Sequence, residues 1–167
     1  MPTGGGSGSV SGFPLNLFQI GQNNDSSVGA VANKVIYGGF ALLVPVTLAN
    51  LAASVSVADG VNNSDIGIYS ASGAALLANI GAQHIAATGI LSAAITQTSV
   101  TLFPGRYLFA LTSVGSTLAL NRDGHWPTWA FNASGVGTSS GGALPANIPA
   151  PTVALNTSGS LIFSLYT

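Results

Sequence analysis

The sequence has no cysteine and no glutamate, and only 4% of its 167 residues are charged. Each shortage excludes something. Without cysteine there are no disulfides, no thiol catalysis and no cysteine-ligated zinc. Without glutamate, carboxylate chemistry falls to Asp25, Asp59, Asp65 and Asp123. The basic side chains are Lys34, Arg106 and Arg122, widely separated along the chain. A nucleic-acid surface needs clustered Lys and Arg, so no nucleic-acid partner is expected, nor attraction to anionic membranes. Ordinary soluble proteins are roughly 25% charged. A formal net charge of −1 built from so few charges favours association over solubility as a monomer. An obligate assembly is therefore expected, its surface covered by copies of the chain or by other proteins. The segment "MPTGGGSGSVSG" has neither a basic nor an apolar signal-peptide region, so no Sec signal is expected.

One stretch is long and uncharged enough to imitate a membrane span, "VIYGGFALLVPVTLANLAASVSVA" at residues 35–58. Gly38-Gly39, Pro45, Asn50 and the alternation of apolar and small residues argue for strands instead, so no membrane span is expected. Helical periodicity is weak throughout. Residues 82–96, "AQHIAATGILSAAIT", are Ala-rich, but Gly89 and the Thr/Ser content favour strand and loop.

What is present is period two. Residues 1–33 read as an extended N-terminal arm: a Gly/Ser segment, then "FPLNLFQI", then the polar turn cluster "GQNNDSS". In the middle piece Phe13, Leu15 and Leu17 alternate in one phase, with Phe18 and Ile20 in the other. An isolated strand is not stable, so this arm needs a partner in the body, a neighbouring subunit or another protein. Residues 34–167 form one domain. Phe40, Leu42, Val44, Val46 and Leu48 share one face of a strand in which Pro45 marks an edge or bulge. Leu51, Ala53, Val55 and Val57 share a face of the next. "DGVNNSD" reads as a turn, "IGIYS", "ASG" and "ALLANIG" as the strand, turn and return strand of a hairpin, and "SVTLF", "RYLFALTS" and "STLALN" as further strands. In "RYLFALTS", Tyr107, Phe109 and Leu111 oppose Leu108, Ala110 and Thr112. "ASGVGTSSGG" and "LPANIPAPT" read as loops, and "GSLIFSLYT" closes the chain as a strand. About eight turn-separated strands predict an all-β fold, a jelly-roll-like two-sheet antiparallel sandwich. An immunoglobulin-like sandwich is the competing form.

Catalytic patterns are thin. Asp25 and Asp59 lie in Asn/Ser/Gly turn clusters, where Asp caps backbone groups, and Asp65 opens a strand just after one. A glycosidase needs two facing carboxylates, and nothing pairs these. Gly137-Thr138-Ser139-Ser140-Gly141 matches G-x-S-x-G, but no Asp or His follows it. His84 and His125 are far apart. Asp123 and His125 at i, i+2 are too few ligands for a metal. No catalytic residue, metal or cofactor is expected.

"RDGHWPTW" at 122–129 concentrates Arg122, Asp123, His125 and both tryptophans, Trp126 and Trp129. Pro127 holds Trp126 extended. Large aromatics are usually mostly buried, so a plug at the end of the sandwich is the plain reading. A subunit interface and a sugar-stacking site, with Arg122, Asp123 and His125 bonding hydroxyls, are the others.

Gly67-Ile68-Tyr69, Ser72-Gly73, Asn79-Ile80-Gly81-Ala82-Gln83 and Pro104-Gly105-Arg106-Tyr107 resemble a β-sandwich segment of tail, fibre and other virion proteins of tailed bacteriophages. The likeness falls within residues 35–111. It implies a non-enzymatic virion component, assembled in the host cytoplasm, and carries over no functional residue. With the composition, it predicts a tail-fibre or capsid-decoration subunit. Its partners would be itself, as a homotrimer, other virion proteins reached through the arm, and a host surface glycan if the distal loops face the host. The alternative is a carbohydrate-binding module or receptor-binding tip.

Overall fold

Alternation of apolar and small residues, broken by Gly, Pro and Asn/Asp clusters, leaves the chain no helical face to bury. The computed structural model describes residues 18–20, 26–123, 134–150, 160–161 and 163–166, and these are strand, turn, bend and irregular backbone, with no helix among them. The strands are β1 (Phe18–Ile20), β2 (Ser26–Gly29), β3 (Lys34–Leu42), β4 (Val46–Leu48), β5 (Asn50–Val57), β6 (Asp59–Ser70), β7 (Leu76–Asn79) and β8 (Gln83–Ile85). They continue with β9 (Gly89–Ala94), β10 (Val100–Leu102), β11 (Gly105–Ser113), β12 (Ala119–Asp123), β13 (Ser134–Thr138), β14 (Ser160–Leu161) and β15 (Phe163–Tyr166). Among the described residues no helix is long and apolar enough to cross a membrane.

The strands form an antiparallel β-sandwich. One sheet runs β13-β3-β11-β6-β7, with β8 also on β6; the other centres on β5 and β12, flanked by β1, β2, β9, β14 and β15. Between β3 and β12 the chain passes repeatedly from one sheet to the other. A two-stranded piece, β4 with β10, closes one corner, where the Thr47 and Thr101 hydroxyls meet at 3.0 Å.

The alternation sorts the side chains as the pleat requires. Phe40 and Leu42 of β3, Ile66 and Ile68 of β6, and Phe109 and Leu111 of β11 meet Leu51, Ala53, Val55, Leu118 and Leu120 between the sheets. Tyr107 packs on this core with its ring centre 5.7 Å from that of Phe40. The opposite parity, Val35, Tyr37, Tyr69, Leu108 and Ala110, points to the far side of the six-stranded sheet. That face is also buried.

Several sequence expectations are revised. The strand expected through Pro45 is two strands, and Val44 leaves the shared face to stand 56% exposed. Proline's missing N–H and fixed φ end a ladder, so the chain turns a corner at 43–45. "DGVNNSD" is not a separate turn. It lies within β6, at a register shift against β8 between Asp59 and Asn63. "ASGVGTSSGG" contains β13, five residues paired with β3 from Ser134↔Gly38 to Thr138↔Lys34. Gly135 and Gly137 interrupt its strand propensity, and the ladder to β3 holds them extended. Residues 82–96 supply β8 and β9, as their Gly/Thr/Ser content favoured.

The arm's expected partner is in part the body. Phe18 and Ile20 in β1 pair with Leu165 and Phe163 of β15. β2 pairs with β12, and Ala30 joins the core with its N–H bonded to the Leu118 carbonyl at 2.7 Å.

Candidate functional site

The far side of the six-stranded sheet is covered by residues 139–150, "SSGGALPANIPA", which cross it as a strap. Gly141 and Gly142 turn the chain off the end of β13 with φ of +64° and +74°. Gly142 also lies so close to Asn63 that a Cβ there would strike the Asn63 carbonyl oxygen. Beyond them Pro145 and Pro149 keep the backbone extended. Leu144 and Ile148 each precede a proline and are buried, while Ala143, Ala146, Asn147 and Pro149 stay largely at the surface. Leu144 fits over Gly67, where a Cβ would lie 2.7 Å from its Cδ1 and 2.5 Å from the Ala78 carbonyl oxygen. Ile148 fits over Gly73 in the same way.

The polar contacts are mostly to the strap's backbone. The Tyr69 hydroxyl donates to the Pro145 carbonyl at 2.6 Å, and the Tyr37 hydroxyl to the Pro149 carbonyl at 3.0 Å. The Leu76 N–H donates to Ala146 O at 2.9 Å, and the Ile148 N–H to Gly73 O at 2.8 Å. Ser139 N–H bonds Asn33 O at 3.0 Å, and the Ser139 and Thr112 hydroxyls pair. Burial holds both phenols above their ordinary pKa, Tyr69 further because the Asp65 carboxyl lies near, so each remains a donor.

Asp65 fastens the strap from below. Its Oδ2 accepts the Leu144 N–H at 3.1 Å and the Asn79 amide at 2.7 Å. Asn79 in turn accepts from Thr96 Oγ1 at 2.7 Å and Gln97 Nε2 at 3.2 Å. Asp65 is wholly buried, and its Oδ1 has no hydrogen-bond partner among the described residues. Burial therefore raises its carboxyl above the ordinary value, against the pull of these donors.

Asp59 holds the backbone at the register shift of β6. It accepts the Asn62 and Val61 backbone N–H groups at 3.0 and 3.1 Å and the Asn62 amide at 3.0 Å. The Asn62 backbone bond, then the Asn62 side chain, lower its pKa, with His84 adding a smaller pull. Both described aspartates whose side chains are placed are thus engaged in holding backbone.

His125, Trp126 and Trp129 lie outside the described residues, as do Phe13, Leu15 and Leu17. Arg122 and Asp123 end β12, their backbones paired with Leu161 and Ser160. The sequence of residues 139–150, rich in Gly, Ser and Pro, carries loop signals and does not by itself mark a strap. The signal it does carry is an apolar residue before each of two prolines four apart, to be read together with two tyrosines on the strand parity opposite the core. Compared with known proteins, the sequence matches no family model and no curated protein.

Proposed function

We propose that the protein is a non-enzymatic virion structural protein of a tailed bacteriophage, a jelly-roll subunit of a tail fibre or capsid-decoration layer that assembles as a homotrimer. The observation that carries this reading is a β-sandwich with so little charge that its surface suits burial against copies of itself. The adjacency of the phage-like motifs supports it. Gly67-Ile68-Tyr69 lies on β6, directly paired with the β11 strand that Pro104-Gly105-Arg106-Tyr107 opens, and Ser72-Gly73 turns β6 into β7. Residues before β1 would reach a neighbouring virion protein.

Light scattering of the purified chain is expected to give the mass of a trimer, and antibody to the chain should label the tail or capsid of phage particles in electron micrographs. A monomer at micromolar concentration, or unlabelled particles, overturns the reading. Glycan binding by a monomer, lost in Trp126→Ala or Trp129→Ala without a lower melting temperature, would transfer the assignment to a carbohydrate-binding module.

A further inference from the structure

The strap and the strand before it form a separable unit. None of the described core residues between the sheets comes from residues 137–150, and Leu144 and Ile148 pack on the outer face. The unit is joined to the body by residues 124–133 and 151–159, connections that span at most about 35 Å and 30 Å when extended. What recognises it is local: two tyrosine hydroxyls on the Pro145 and Pro149 carbonyls, an N–H and a C=O from the β6–β7 hairpin, and clefts over Gly67 and Gly73. Every one of these features is repeated in each copy of the chain. The face cannot be left bare, because Val35, Tyr37, Tyr69, Leu108 and Asp65 would meet water.

We propose that residues 134–150 are exchanged between copies, so that the face of one subunit is covered by the strap of its neighbour. The proposal rests on the assembly reading above and names the contact that would hold the assembly together. An exchanged strap makes the same hydrogen bonds and fills the same clefts as a closed one, which is why such exchange costs little. Within an assembly the neighbour's face is held at high effective concentration, and the exchange converts subunits in contact into subunits that are interlocked.

The absence of native cysteine makes the test direct. Ile36 and Val136 face each other in the β3–β13 register, at a spacing within reach of a disulfide after small adjustment. The full chain carrying Ile36→Cys with Val136→Cys is oxidised and run on a denaturing, non-reducing gel. Covalent species of two or more chains are expected. A second pair, Lys34→Cys with Thr138→Cys at the end of the same ladder, and a short bis-maleimide on either pair, give the reading if the first disulfide does not form. Light scattering of the same sample separates the outcomes. An assembled particle whose covalent mass is that of one chain overturns the exchange and leaves the virion-subunit reading standing. A monomer overturns both.

Discussion

At the scale of single residues, the strap's anchors make the sharpest predictions. Tyr69→Phe removes the donor to a carbonyl that has been taken out of water, and should cost roughly 1–2 kcal/mol in denaturant unfolding. Tyr37→Phe, whose partner Pro149 is exposed, should cost less, about 1 kcal/mol. Asp65 gives a pH signature. Because its folded-state pKa is raised, the folded protein holds that proton more tightly than the unfolded chain. Its contribution is complete below the ordinary carboxylate value and is lost as pH rises through the raised one. Asp59, lowered by Asn62, acts in the opposite sense, its contribution lost as pH falls. The difference in melting temperature between wild type and Asp65→Asn, followed across pH, isolates the first. The wild type should lose ground to the variant as pH rises, and parallel curves would refute the assignment.

At the scale of elements, the two cores are predicted to fail differently. Leu111→Ala, within the inter-sheet core, should cost about 3 kcal/mol and lower global stability. Gly67→Ala drives a methyl into Leu144 and the Ala78 carbonyl, an overpacking cost of about 1–3 kcal/mol. Its effect should appear as faster amide exchange across residues 139–150, with β3 and β11 still protected. Uniform loss of protection would mean that the strap is not a separable unit. The element scale is also where sequence reading was most uneven. The parity of "RYLFALTS" was legible because Phe109 and Leu111 belong to one core and Leu108 and Ala110 to the other. β13 was not, because Ser-Gly-Val-Gly-Thr acquires its strand state from β3 rather than from its own side chains.

At the scale of the whole molecule, one corner of the sandwich carries Leu43, Val44 and Phe103, each more than half exposed. The β3–β11 and β4–β10 ladders bring the 43–45 and 103–104 turns together, with Gly105↔Leu42 and Leu102↔Val46 on either side. Leu43→Ser with Phe103→Ser should leave the unfolding free energy within about 0.5 kcal/mol of wild type, as surface changes usually do. If this corner is an intersubunit contact of the proposed assembly, the same variant shifts scattering mass downward; unchanged mass would place the contact elsewhere.

The sequence by itself determined the class of the fold. Period two, abundant turn residues and weak helical periodicity leave strands as the way to bury 47% hydrophobic residues. It determined also that Tyr107, Phe109 and Leu111 of β11 face away from Leu108, Ala110 and Thr112, since alternation is a property of the backbone pleat. Only the tertiary structure decided that the second parity is a core as well. Asp65, Tyr69 and Leu144 are up to 79 residues apart in sequence, and no local pattern records that they meet. Their burial follows from a strap that crosses the sheet, and the value of each hydroxyl, carboxyl and glycine there exists only once that crossing is made.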